Sequence, residues 1–187
     1  TIKHVCANNQ EASRRFVDSI VSERALREIY LKGFEIAVKE GKARSVMTTY
    51  NPVNGIWTAG SYDLCTTILR KEWGFDGIVM TDWWAEANTE GEKSTRENKA
   101  PMVLAQNDLY MCVSNSLENP ENDNVKERFE AGEVTRSDLQ RNAKNILKFI
   151  MKSQAMLHEL NLISKEDLEH IFDRFFRVDK ARSRNMG

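Results

Sequence analysis

Four short apolar runs, separated by helical patterns, constrain the fold of this chain more than any other feature. They cover residues 1–7, 45–50, 77–83 and 108–113. The apolar residues in each run are nearly continuous rather than alternating, which is typical of strands covered on both faces. Strands that alternate with helices favour right-handed crossovers between parallel neighbours. The sequence therefore predicts an α/β fold built on a parallel sheet.

Helical patterns fill the intervals between the apolar runs. From Ser22 to Gly41 apolar side chains recur with the 3.6-residue period, and a second pattern begins at Ser61 and ends at Gly74. A third, shorter helix is predicted at residues 99–106. About four βα units are half of a (β/α)8 TIM barrel, or else a small doubly wound sheet.

The C-terminal part of the chain is predicted to be helical. After a polar loop, residues 125–131 form a short helix, and Thr135 with Asp138 has the spacing of a capping box before a long one. A helical pattern restarts at Ser164, so we expect a helical tail over residues 161–187.

Composition narrows the possible partners and the compartment. The chain has 187 residues, with 27 Lys and Arg against 28 Asp and Glu, so its formal net charge of −1 argues against binding nucleic acid or an anionic membrane. No apolar run is long enough to cross a membrane, and the polar start is unlike a signal peptide. Three widely spaced cysteines predict free thiols in a reducing compartment. We therefore expect a cytoplasmic protein, and its start at Thr1, on a strand in progress, suggests missing upstream sequence.

Polar and aromatic side chains gather at the predicted carboxyl ends of the first three strands, where parallel α/β folds bind their ligands. They are Lys3, His4, Tyr50, Asn51, Asp82, Trp83 and Trp84. Charged groups can hydrogen-bond sugar hydroxyls, an indole can cover the apolar face of a sugar, and a carboxylate can attack an anomeric carbon. Each residue alone is more typical of a cap, a turn or a solvated loop, but together they favour a site for a carbohydrate.

The sequence around these residues resembles glycoside hydrolase family 3, whose commonest members are β-glucosidases. The matching segments are KHVCANNQE, SERALREIYLKGFEIAVKEGKARSVMTTYNPVNG, AQNDLYMCV, LQRNAKNILKFIMKSQAM and, most specifically, LRKEWGFDGIVMTDWW. The resemblance covers residues 1 to about 160. It implies the C-terminal half of a catalytic barrel that removes a terminal β-linked glucose with retention of configuration, without a metal or organic cofactor.

The resemblance also implies roles for particular residues. Asp82 is identified as the nucleophile. Five further residues are expected to bind or border the sugar, namely Lys3, His4, Met47, Tyr50 and Trp83. The family's barrel begins upstream with an Asp and an Arg that hold the sugar, and no segment here matches its acid/base Glu. Three glutamates follow the nucleophile, Glu86, Glu90 and Glu92, and we expect them to be solvated loop charges.

Two alternatives remain at this point. The chain could be a non-catalytic half-barrel that pairs with a second copy or with a missing barrel half, because its outer strands would have open edges. Residues 166–187 resemble a segment of the ATP-binding domain of sensor histidine kinases. That segment lacks the glycine-rich phosphate loops, so we expect an amphipathic tail that binds no ATP.

Overall fold

The computed structural model describes residues 1–112, 114–115 and 117–159 of the chain. The strands are β1 Ile2–Val5, β2 Ser45–Thr48, β3 Pro52–Val53, β4 Ile56–Trp57, β5 Ile78–Trp83 and β6 Leu109–Met111. The α-helices are α1 Glu23–Ala25, α2 Lys32–Lys39, α3 Ala100–Ala105, α4 Val125–Glu130 and α5 Arg136–Glu159. Two π-helices, Leu26–Tyr30 and Asp63–Glu72, and a 3-10 turn, Thr58–Gly60, complete the elements.

The main sheet is parallel and has the strand order β1-β2-β5-β6. Every neighbouring pair in it is parallel, with helical segments in the crossovers. The predicted α/β class and parallel sheet are therefore confirmed. The strands are shorter than their apolar runs, and β6 ends at Met111.

The first crossover begins at Ser22, whose hydroxyl accepts a hydrogen bond from the backbone N–H of Ala25 at 3.2 Å. The predicted helix is present here, but a π-helical segment, Leu26–Tyr30, interrupts it before α2. Leu31 directly follows this π-helical segment. Its side chain has no exposed surface and belongs to the main apolar core. The apolar periodicity located the helix without revealing its changed hydrogen-bond spacing.

The second crossover is π-helical over Asp63–Glu72 and begins after Ser61, which accepts from the Leu64 N–H at 3.2 Å. Its buried face joins the main core, which includes Val5, Leu31, Val38, Val46, Leu64, Cys65, Ile68, Leu69, Phe75 and Val79. This cluster is the largest of the three apolar clusters among the described residues, and burial of its side chains stabilises the fold. All three cysteines are free thiols, as predicted, and Cys6 and Cys65 are buried.

A hairpin that the sequence analysis did not predict follows β2. β3 and β4 pair antiparallel across Asn54 and Gly55, whose φ angles are 52° and 83°. Two successive left-handed residues form the tight turn that Asn-Gly pairs favour. The two-residue strands were too short for the periodicity to reveal, although the Asn-Gly pair was a usable signal.

Gly77 sets the close approach of β5 to the segment before β2. A Cβ atom built on Gly77 would lie 1.9 Å from the carbonyl oxygen of Arg44, which itself accepts from the Ile78 N–H at 3.0 Å. Only a residue without a side chain fits there. β5 therefore begins in register with β2, and Ser45 pairs with Ile78.

A buried ion pair joins the second crossover to the last strand and to α5. Arg70 donates to Asp108 at 2.6 Å, and neither side chain is more than 9% exposed. Asp108 also accepts from the Val79 N–H and from the side chain of Asn145, each at 2.9 Å. Burial raises the pKa of the Asp108 carboxyl, although Arg70 acts in the opposite direction.

The start of α5 has the predicted capping box. The Thr135 N–H donates to the Asp138 carboxylate at 2.9 Å, and the Asp138 N–H donates back to the Thr135 hydroxyl at 3.3 Å. The chain divides into two compact units at Leu147 and Lys148. In the second unit the structure describes only the continuation of α5 to Glu159, so the predicted tail at residues 161–187 lies outside the described residues.

The described residues contain neither a membrane-spanning helix nor a metal-binding cluster. None of the helices within them is both long and apolar enough to span a bilayer. The same residues hold no group of three or more His, Cys, Asp or Glu side chains placed to share a metal ion.

We predict that Arg70→Ala destabilises the chain by about 3–5 kcal/mol, because it leaves the Asp108 carboxylate buried without its charged partner. Arg27→Ala is the matched control, since Arg27 pairs with Glu72 at 2.6 Å on an exposed part of the neighbouring surface. Loss of an exposed pair costs at most about 1 kcal/mol. Urea denaturation measures both values. Equal losses in the two variants would contradict the role given to the buried pair.

Candidate active site

Asp82 occupies the carboxyl end of β5, one residue before the strand ends. Its side chain is only 7% exposed, and its Oδ1 accepts a hydrogen bond from the Trp83 N–H at 2.8 Å. Next to it, the Thr81 hydroxyl accepts from the Met111 N–H at 2.8 Å, which fastens the end of β5 to β6. The carboxylate is therefore held in one orientation, with Oδ2 left to face other elements.

Two side chains from the first strand and the loop after it face Oδ2 of Asp82. Nε2 of His4 lies 3.3 Å from this oxygen, and Nη2 of Arg14 lies 3.8 Å from it. Arg14 also pairs with Glu11 on its own loop at 3.3 Å. A buried carboxylate needs such partners, because burying an unpaired charge is costly. The Arg14 cation stabilises the negative charge of Asp82, and His4 adds a polar contact to the same oxygen.

The Tyr50 ring lies beside the same carboxylate, at the end of β2. Burial raises the pKa of the phenol, and the negative charge of Asp82 and a hydrogen bond with it act in the same direction. The guanidinium groups of Arg14 and Arg15 lie over the ring, 5.1 Å and 4.8 Å from its centroid. Three elements distant in sequence thus meet at one carboxylate.

Asn51 explains how the loop after β1 reaches this position. The sequence analysis expected its side chain on the rim, but the structure places it in the interior, with no exposed surface. Its Oδ1 accepts from Asn8 and from the Thr49 hydroxyl, both at 2.7 Å, and its Nδ2 donates to the Pro52 carbonyl at 2.8 Å. Asn8 in turn donates to the backbone carbonyl of Arg14 at 2.8 Å. These hydrogen bonds of the side-chain amides hold the loop against the end of β2.

Sequence reasoning missed Arg14 and Arg15 because they lie in a loop without periodicity. Two consecutive arginines in the loop after the first strand, where loops carry binding residues, were the available signal. Asn51 was assigned to the wrong environment because a polar residue after a strand is exposed more often than buried.

The remaining candidates take different positions. Met47 is buried within β2, at 5% exposure, whereas Lys3 is exposed. Trp83 and Trp84 are 39% and 43% exposed, so part of each residue remains open to solvent. Those two indoles can therefore still cover a ligand.

The three glutamates that follow Asp82 are not seen next to it. Glu86 accepts a hydrogen bond from the Ser94 hydroxyl at 2.6 Å, and Glu90 and Glu92 are exposed. Within residues 1–112, no ion pair or hydrogen bond joins any of them to Asp82. The described part of the site therefore has one central carboxylate, with cations and a phenol around it.

The protonation of His4 follows from its surroundings. Burial lowers the pKa of its imidazole, and the positive charges of Lys3 and Arg14 lower it further, while Asp82 raises it. The pKa lies below the ordinary 6.5, so His4 is mainly neutral at pH 7. A neutral imidazole can donate one hydrogen bond and accept another.

Comparison with known proteins assigns the chain to a family. Residues 1–149 match the family model of the glycosyl hydrolase family 3 N terminal domain. The chain belongs to glycosyl hydrolase family 3. The match includes β1 to β6 and every residue that surrounds Asp82. The roles that the resemblance implies for particular residues of this family 3 chain stay predictions.

Curated and solved relatives agree with the family. A β-glucosidase of Ruminococcus albus is 60% identical over 160 residues, covering 86% of this chain and 17% of that enzyme. An exo-α-(1→6)-L-arabinopyranosidase of Bifidobacterium longum is 36% identical over 158 residues, covering 84% and 19%. The crystal structure of a β-glucosidase from Paenibacillus barengoltzii has a TM-score of 0.78 at 58% identity, covering 80% and 17%. This family 3 chain spans less than a fifth of the length of these relatives.

We predict that His4 titrates below its ordinary pKa and that Asp82→Asn lowers the value further. The substitution removes the carboxylate that favours the protonated imidazole, while burial, Lys3 and Arg14 continue to act. Heteronuclear NMR of the imidazole resonances measures both pKa values, and His4→Gln assigns the signal. A His4 pKa that rises or stays constant in Asp82→Asn would show that the two groups do not interact.

Proposed function

We propose that this chain carries the nucleophile and part of the sugar-binding site of a retaining β-glucosidase-like glycoside hydrolase. The observation that carries the proposal is a single buried carboxylate, Asp82, at a strand end, with His4, Arg14 and Tyr50 directed at it. Membership of glycosyl hydrolase family 3 supports the same chemistry.

Asp82 acts by attack on the anomeric carbon of the bound sugar. Its carboxylate forms a bond to that carbon as the bond to the leaving oxygen breaks, and the product is a glycosyl-Asp82 ester. Water then attacks the same carbon and releases the carboxylate, so two inversions give net retention. The Trp83 N–H orients the carboxylate throughout through its hydrogen bond to Oδ1.

The groups around Asp82 have separate tasks in this mechanism. The cationic Arg14 stabilises the carboxylate when it is released from the ester. His4 and Lys3, which are neighbours within β1, supply donors for sugar hydroxyls, and Tyr50 holds the orientation of Asp82. Met47, buried within β2, borders the sugar site, and Trp83 offers the exposed part of its ring to the apolar face of the sugar.

The proposal leaves the general acid to a group beyond the described site. Retention requires a second carboxyl about 5 Å from the nucleophile. The three glutamates that follow Asp82 make no hydrogen bond or ion pair with it in the described structure. We therefore expect this chain to act best on substrates whose leaving group departs without protonation. General acid catalysis accelerates such reactions by roughly 10²- to 10⁴-fold. We expect this chain to hydrolyse ordinary glucosides more slowly by that factor.

Glucose is the sugar that we propose for this site, without any metal or organic cofactor. Two of the relatives described above are β-glucosidases. They are 60% and 58% identical to this chain, which is more than the arabinopyranosidase. The arabinopyranosidase relative is less similar, at 36% identity, yet shares the family. A pyranose without the hydroxymethyl group is therefore the first competing substrate to compare.

We predict that Asp82→Ala loses activity on 2,4-dinitrophenyl β-glucoside and that azide restores part of it. Azide fits the space vacated by the carboxylate and attacks the anomeric carbon directly, so the product is the α-glucosyl azide. Product analysis by NMR checks the configuration. Asp63→Ala is the control, because Asp63 lies on the exposed side of its helix. Full activity of Asp82→Ala, or equal losses in both variants, would contradict the assignment.

Self-association is the second candidate function, and the sheet supplies the observation that favours it. Among the described strands, β1 and β6 are the outer ones, and each pairs on one side only. An open edge of a parallel sheet readily pairs with another strand. A second copy that contributes its own four strands would close both edges.

We predict that the purified chain is dimeric at micromolar concentration, because two copies can satisfy both edges. Sedimentation velocity measures the mass, and Ile2→Lys and Leu109→Lys, each on an outer strand, are expected to weaken the association. A monomer of 21.5 kDa that unfolds cooperatively would contradict this prediction.

A further inference from the structure

Arg15 has an unusual position for an exposed arginine. Its guanidinium carbon lies 4.8 Å from the centroid of the Tyr50 ring, closer than that of Arg14 at 5.1 Å. The two arginines are consecutive in the loop that the Asn51 side chain holds in place. Both therefore reach the same phenol, from a backbone whose position is fixed.

The two arginines differ in their other partners. Arg14 pairs with Glu11 and with Asp82, so two carboxylates already account for its position. Arg15 has no ion pair or hydrogen bond among the described residues, and the Tyr50 ring is the contact that the structure gives it. A long, charged side chain loses rotamer freedom when it remains on a ring, and the attraction between cation and ring offsets that loss.

Tyr50 is the aromatic residue for which such a contact matters most. Its hydroxyl interacts with Asp82, and its half-buried ring packs in part against a small apolar cluster that includes Met102. The exposed part of the ring is open to a further contact. A cation over the ring restricts its rotation and draws electron density from the phenol, which strengthens the hydroxyl as a hydrogen-bond donor.

We propose that Arg15 is a positioning residue that holds the Tyr50 phenol against the nucleophile Asp82. It acts through Tyr50 and touches neither the sugar nor the reacting atoms. The contact between Arg15 and Tyr50 is independent of the proposed function, whereas its effect on glycosyl transfer rests on that function.

The charges that face Tyr50 determine the direction of the test. Asp82 raises the pKa of the phenol, and Arg14 and Arg15 lower it from the loop after β1. Replacing Arg15 by Met preserves the length and packing of the side chain but removes its charge. The phenol pKa must then rise, because a cation that favours the phenolate is gone.

The experiment follows the tyrosines of ¹³Cζ-labelled protein through an alkaline titration by NMR, with Tyr50→Phe to assign the signal. Arg15→Met is expected to raise the Tyr50 pKa, and Arg15→Lys to return it towards the wild-type value. Tyr62 is an internal reference, because Lys71 lies 5.3 Å from its ring and remains unchanged. Arg24→Met, which removes an exposed arginine paired with Glu28, is the matched control.

The second measurement is the rate at which 2,4-dinitrophenyl 2-deoxy-2-fluoro-β-glucoside releases dinitrophenol. Arg15→Met is expected to slow it by about two- to fivefold at saturating substrate, the factor that a cation–π contact at an exposed site supplies. The apparent binding constant is expected to change little, because Arg15 does not touch the sugar.

The two measurements separate the two proposals. A Tyr50 pKa that does not move in Arg15→Met overturns the role of Arg15, whatever the kinetics show. A shifted pKa with an unchanged release rate also overturns it, since the contact would then be without effect on the nucleophile. A shifted pKa in a chain whose wild type releases no dinitrophenol supports the contact and contradicts the proposed function instead.

Discussion

The buried pair of Arg70 and Asp108 is the interaction on which the rest of the structure depends. Arg70 also donates to the carbonyls of Gly77 and Gln106, each at 3.1 Å, so one guanidinium spans the segments that precede β5 and β6. Asp108 binds the Val79 N–H in return. Because this pair sets the register of β5 against β6, it also sets the position of Asp82 near the carboxyl end of β5.

The site itself depends on a second anchor, the amide of Asn51. Asp82 would be a buried carboxylate with a weakly held partner if the loop after β1 were free. Asn51 and Asn8 remove that freedom, and Arg14 then faces Asp82 while Arg15 remains over Tyr50. The sheet therefore supplies the carboxylate, and a loop fixed by neutral amides supplies the charge that balances it.

The parallel sheet and the convergence of His4, Tyr50 and Asp82 could be predicted from the sequence, because strand ends are local patterns and parallel topology brings them to one edge. The π-helical hydrogen bonds of Leu26–Tyr30 and Asp63–Glu72 could not, since apolar periodicity hardly changes between helix types. Arg14 and Asn51 were equally hidden. Their positions depend on side-chain amides that link residues more than forty positions apart, and no local pattern reports such a link.

The central claim, that Asp82 is the nucleophile of a glycosyl-transfer site, is tested most directly by locating the covalent intermediate. The chain would be incubated with an activated 2-deoxy-2-fluoro-β-glucoside, digested and mapped by tandem mass spectrometry. We expect one fluoroglucosyl ester, on Asp82, that is absent when the protein is unfolded before incubation. An ester on Glu86, Glu90, Glu92 or any other carboxylate, in a chain that still hydrolyses glucosides, would contradict it.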